Sequence, residues 1–150
     1  MDAQEYLTAR VEQFIKWYDG KAVTAKRRFL FFRTTSVVTS LLIPIAVNVL
    51  PDGYSRAAAT VLGLTAALAV ALDGVYHFGD QWKNYRSTEQ FLSREKFLFM
   101  TGEGPYKDLQ EQGAFVLFVE RCEAQIASEN SATLNVILSS EKTEKAGKSS

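Results

Sequence analysis

The sequence holds a single cysteine, Cys122, and a single histidine, His77. One cysteine excludes an internal disulfide framework, and the absence of a close cysteine pair excludes the usual zinc motifs. Together the two residues are too few to build a His/Cys metal centre from one chain, and no cofactor motif is present. Net charge is also missing: 17 Lys and Arg balance 17 Asp and Glu. Global electrostatics therefore give no pull toward nucleic acid, which is not expected as a partner. Charge is locally absent as well. Seven basic residues precede Ser36, but Arg56 alone lies between Ser36 and Lys83.

What fills that gap is apolar. Thr34 to Leu50 is 17 residues without a formal charge. Adding Phe29 to Phe32 across Arg33 gives the length needed to cross a ~30 Å hydrocarbon layer. The second run, Ala57 to Leu72, continues through Asp73 toward Phe78. The alternative, two buried helices of a soluble all-α protein, needs more covering structure than the polar remainder offers. A secretory signal is not expected, because some thirty polar and amphipathic residues precede the first run.

The sequence thus predicts an all-α membrane protein built on a hairpin of two transmembrane helices, with amphipathic cytoplasmic helices before and after it. Residues 1–33 are expected to form the N-terminal helix, 29–50 the first span, 51–56 an extracytoplasmic turn and 57–78 the second span. Cytoplasmic helices follow over 79–130, then a largely disordered polar tail over 131–150. Lys21, Lys26, Arg27, Arg28 and Arg33 precede the first span, and Lys83, Arg86, Arg94 and Lys96 follow the second. The positive-inside bias then puts both termini in the cytoplasm at the inner membrane. Pro51-Asp52-Gly53 is a turn signal, and Ser55 is placed to cap the second helix.

With the turn centred near residues 53 and 54, Arg33 falls opposite Gly74, beside Asp73. Arg33 and Asp73 are therefore expected to pair at the membrane edge, or Asp73 to face a water-filled vestibule. His77, four residues on, shares Asp73's helix face and is a candidate pH-responsive partner.

Two stripes recur every four residues. Ser36, Ser40, Pro44 and Asn48 mark the first span, and Pro44 is expected to kink it and free a carbonyl. Ala59, Gly63, Ala67 and Ala71 mark the second, as a small-residue ridge that allows close helix approach. The first stripe is read either as helix packing or as the lining of a pore. Since one hairpin encloses no channel, a pore requires a homo-oligomer of four or more subunits, and inorganic ions as its cargo.

Outside the spans, Leu7, Val11, Phe14, Ile15, Tyr18, Ala22, Ala25 and Phe29 follow the three-four spacing of an amphipathic helix, with Asp19-Gly20 a candidate break. Lys26-Arg27-Arg28 reads as an anchor at anionic lipid headgroups. Trp82 and Tyr85 suit an interfacial aromatic belt. Thr101 to Tyr106 makes a turn, and a last helix runs from about Lys107 to Glu129 with Leu109, Phe115, Val116, Phe118, Val119, Cys122 and Ile126 on its apolar face. Glu120, Glu123 and Glu129 are expected to be solvated or paired.

The two spans, Trp82, Tyr85-Arg86, Glu89, Leu92, Glu95, the Gly104-Pro105-Tyr106 turn and Phe118-Val119-Glu120-Arg121 followed by Glu129 resemble the SLATT superfamily of two-transmembrane effector domains, in particular its stand-alone bacterial branch. The resemblance covers about residues 10 to 130. It implies a membrane effector of a bacterial conflict or signalling system, forming pores when a separate nucleotide-sensing partner acts. Where relatives in that superfamily often carry tryptophan after the last glutamate, this chain has Asn130. Physically, Arg86 is placed to reach acidic lipid headgroups or to pair with Glu89 or Glu120, and Glu95 to pair with Arg27, Arg28 or a neighbouring subunit. Trp82, Tyr85, Arg86, Glu89 and Glu95 are expected to be architectural.

Two functions follow from these readings. One is an oligomeric pore or ion channel; the other is a non-conducting membrane scaffold that recruits proteins through its cytoplasmic helices. No nucleophile–base pair is arranged in the sequence, so an enzyme is not expected.

Overall fold

The computed structural model describes residues 2–147, with side chains for residues 2–131. These residues are all-helical and contain no strand. Helix α1 spans Ala3–Val49, α2 Asp52–Tyr76, α3 Phe78–Thr101 and α4 Glu111–Gly147. The chain divides into two compact units, one of residues 1–23 with 81–150, the other of residues 24–80.

The second unit is the hairpin. Helix α1 passes unbroken through Asp19-Gly20 and through Pro44, so the expected break at Asp19-Gly20 is absent. It stops where Pro51, which has no N–H to donate, disfavours helical backbone at Leu50. The connection is shorter than the 51–56 turn predicted from sequence. Helix α2 starts at Asp52, with the Pro51 carbonyl accepting from Tyr54 N at 2.9 Å and Ser55 N at 3.0 Å. Ser55 is therefore buried inside the first turn and does not cap it; its hydroxyl donates to the Asp52 carbonyl at 3.3 Å.

Helix α2 ends at Tyr76 because His77 is left-handed, with φ 50° and ψ 43°. The His77 N–H closes the helix on the Asp73 carbonyl at 2.9 Å. Polar residues such as His enter this region more readily than β-branched ones. Beside this cap, the Phe32 and Phe78 rings stack at 5.6 Å, and Tyr76 stacks on Phe78 at 5.3 Å. Gly79 follows where a Cβ would sit 3.1 Å from the Phe29 ring.

The first unit holds an aromatic core of Tyr6, Val11, Tyr18, Leu92, Tyr106, Ala114, Phe118, Cys122 and Ile126. Helix α3 supplies Tyr85, Thr88, Leu92, Glu95 and Phe99 at alternating three- and four-residue steps, one continuous inward face. Helix α4 supplies Ala114, Phe118, Cys122, Ile126 and Glu129. Leu109 precedes α4 and is exposed, and so is Val116, which the sequence reading had placed on the apolar face. At its start, α1 widens into one π-turn over Leu7–Val11. In a regular α-helix Tyr6 and Val11 would point about 140° apart; the wider turn brings Tyr6, Leu7 and Val11 all inward.

Between α3 and α4 the chain reverses through residues that bend easily. Gly102 has φ 68°, and Glu103 N reaches back to the Leu98 carbonyl at 3.0 Å, the bonding that ends a helix at a left-handed glycine. Helix α4 then continues past Asn130 to Gly147, through the segment expected from its composition to be a disordered tail. The Glu, Lys and Ala residues there are good helix formers. Residues 148–150 lie outside the described residues.

Candidate functional site

In the hairpin, the half-buried positions of α1 are Phe29, Phe32, Thr35, Ser36, Thr39, Ile43 and Ala46. Ser40, Pro44 and Asn48 are exposed, so only Ser36 of the expected polar stripe turns partly inward. Each polar member bonds to its own helix. Ser36 Oγ donates to the Arg33 carbonyl at 2.9 Å, Ser40 Oγ to Ser36 at 2.7 Å, and Asn48 Nδ2 to Pro44 at 2.6 Å. This back-bonding uses the one donor of each hydroxyl, whereas a primary amide has a second N–H to place as well as its oxygen. Asn48 keeps its Oδ1 and a second N–H without a partner among the described residues.

On α2 the inward face is Ser55, Ala58, Ala59, Leu62, Gly63, Ala66, Ala69, Leu72 and Asp73. Ala59 and Gly63 of the expected ridge lie on it, whereas Ala67 and Ala71 are exposed on the single chain. The small face is thus rotated, with Ala66 and Ala69 in their place. A strict four-residue repeat advances 400° per step, 40° more than one full turn, and drifts off a straight contact line. Alternating three and four keeps to it.

No Arg33–Asp73 ion pair is present among the described residues. The Arg33 guanidinium lies 6.0 Å from the Phe29 ring centroid, and Asp73 Oδ1 is buried without a hydrogen-bond partner. Helical depth alone, which motivated the pair, ignores the rotation of each side chain about its axis. His77 likewise meets Asp73 only through its backbone, since its left-handed conformation ends the shared helix face.

The first unit gathers its charges around tyrosine hydroxyls. Glu95, with 2% of its side chain exposed, accepts two bonds from Arg121, at 2.7 and 2.9 Å, and one from Tyr106 Oη at 2.5 Å. Arg121, and not the expected Arg27 or Arg28, is its partner. Glu123 accepts from Arg10 at 2.6 and 2.9 Å and from Tyr6 Oη at 2.9 Å. Tyr18 Oη donates to the buried Glu129 at 3.2 Å. Arg86 bridges Glu89 and Asp19, both at 3.0 Å, and Lys96 holds Glu12 at 2.6 Å.

These contacts set the protonation behaviour. The Arg121 hydrogen bonds hold Glu95 below the usual carboxylate range, and the Arg10 bonds do the same for Glu123. Burial pushes the Tyr6, Tyr18 and Tyr106 phenols well above their usual range and the Cys122 thiol up to about 12. Tyr85, assigned to an interfacial belt from sequence, packs with Trp17 and Tyr18 at 6.2 Å in this unit, and Trp82 is half-buried. Sequence reading missed the roles of Tyr6, Arg10, Tyr18 and Tyr106, whose partners lie up to 117 residues away. No local signal marks such pairs.

Among the described residues, no group of three or more His, Cys, Asp or Glu side chains could hold a metal. What the geometry defines is an all-helical protein with two long apolar helices, each apolar enough to cross a membrane, and a separate aromatic unit braced by carboxylates. The chain belongs to a protein family of unknown function, DUF4231, whose model matches residues 13–114. That match takes in the whole hairpin and α3, and stops short of Arg121 and Glu123. Comparisons with curated proteins and with solved structures return no match.

Proposed function

We propose that the hairpin crosses the cytoplasmic membrane with both termini inside, and that four or more copies assemble into a pore or ion channel. The observation that carries this reading is the exposed Asn48 amide, in line with Ser40 and Pro44, on a face the hairpin itself does not cover. Lipid offers an amide no partner, so such a face belongs against protein or water. The apolar surface supports insertion: 0% of the first 18-residue apolar window and 6% of the second is buried, unlike the core helices of a soluble protein. Basic residues flanking both spans support the orientation. The resemblance to SLATT effectors supports a signalling or conflict role with a separate sensing partner. An enzymatic role is not part of this reading, as Cys122 is buried and His77 serves as a helix cap.

The second reading, a non-conducting scaffold, is favoured by the back-bonded hydroxyls of the same stripe, which need no water. Ion flux through purified protein in liposomes separates the two. Protein-dependent flux that changes with Asn48→Leu at unchanged oligomer size is expected for a pore. An inserted oligomer without flux across voltage and pH would turn the assignment to the scaffold.

A further inference from the structure

The hairpin carries a groove of about 1290 Å³ that the pore reading does not use. Arg27 and Arg28 make one end basic, with the Phe78 ring beside them; toward Val38 the lining is mainly apolar, with Phe31 and Leu30, and is interrupted by Thr34, Thr35 and Thr39. From Arg27 to Val38 the groove follows α1 for about 17 Å. Arg28 lies over the Phe78 ring with its guanidinium carbon 5.8 Å from the centroid. That contact places the guanidinium beside the Phe78 wall of the groove. Among the described residues neither Arg27 nor Arg28 is ion-paired with an acidic side chain. Two uncompensated guanidiniums above an apolar channel match one kind of ligand: a phosphate with a hydrocarbon chain attached.

From this geometry we infer that the groove is a site for one anionic phospholipid, its phosphate on Arg27 and Arg28 and an acyl chain along Phe31 and Val38. The inference rests on the membrane reading of the hairpin, and goes beyond a general attraction of basic residues to the surface, because it requires both ends of one groove. Surface attraction alone is indifferent to which basic residue is removed. A built site is not.

The test is native mass spectrometry of the full-length protein, released into mild detergent from vesicles of equal phosphatidylglycerol and phosphatidylcholine. The wild type is expected to retain phosphatidylglycerol at least about tenfold over phosphatidylcholine, equivalent to ~1.4 kcal/mol. The Arg27→Gln/Arg28→Gln variant loses that preference, Lys21→Gln outside the groove keeps it, and Val38→Trp, which fills the apolar end, reduces retention. Equal retention of the two lipids, or loss equally in Lys21→Gln, would overturn the site. Competition by inorganic phosphate with no effect of Val38→Trp would also overturn it, in favour of a free anion. Alkaline washing of the membranes tests insertion separately. Extraction of the protein by that wash refutes the membrane reading, whereas an inserted protein without lipid preference refutes only the groove.

Discussion

The Tyr106 hydroxyl donates to Glu95 Oε2 at 2.5 Å from the far side of the α3–α4 turn, while Arg121 grips both oxygens of the same carboxylate. A charge on the inward face of α3 would be costly alone; three donors offset its desolvation. The left-handed Gly102 and Gly104, at φ 68° and 63°, bend the chain so that Tyr106 reaches it.

Removing one donor should therefore strand a buried charge. Arg121→Ala is expected to destabilise the first unit by roughly 2–3 kcal/mol, less than a fully buried pair costs because 39% of its side chain is exposed. Tyr106→Phe should cost about 1–2 kcal/mol. Thermal melts in detergent check both, and a double-mutant cycle should show the two effects to be non-additive.

Stability should fall at both ends of the pH scale. Glu95 and Glu123 have depressed pKa values in the folded chain, so their contribution is complete above the unfolded value of about 4.3 and is lost as pH falls through the folded values. Tyr6 and Tyr106 have raised values, so their contribution is present below an unfolded value of about 10 and is lost as pH rises beyond it. Melting temperature against pH should show a plateau between about 5 and 9. Arg10→Gln should lower the plateau and make the acid limb shallower, because Glu123 then titrates closer to its unfolded value.

Cys122 should be unreactive in the folded protein. Burial both blocks access and pushes the thiol up to about 12, leaving almost no thiolate at neutral pH. Maleimide labelling at pH 7.5 is expected only after denaturation. Rapid labelling of the native chain would mean that the core around Phe118 opens readily.

Asp73 makes the opposite prediction about stability and activity. Its Oδ1 is buried with no hydrogen-bond partner, an arrangement that costs about 1–3 kcal/mol. Asp73→Leu should raise the melting temperature of the purified protein. If the pore reading holds, the same substitution alters flux, the usual sign of a polar group kept for function at the expense of stability.

The two long apolar helices were legible because hydropathy is local: each residue in Thr34–Leu50 or Ala57–Leu72 contributes whatever its neighbours do in space. The same holds for the inward positions of α1, such as Val11, Tyr18 and Ala22, since a helical period needs no tertiary partner to be counted. The open end of the hairpin was less legible. Asp73 and Arg33 sit at matched depth along the chain, but pairing also depends on rotation, and each residue turns its side chain by about 100°.

Tertiary structure alone decided which carboxylate meets which base. Glu123 finds Arg10 across 113 positions and Glu95 finds Arg121 across 26, and a slip of one residue in α4, which carries a member of each pair, would undo both. It also decided the π-turn at Leu7–Val11 and the left-handed His77, because each local cost is met only by what the turn lets the neighbouring side chains bury. Composition placed the helices; their rotation and register, which composition does not encode, placed the charges.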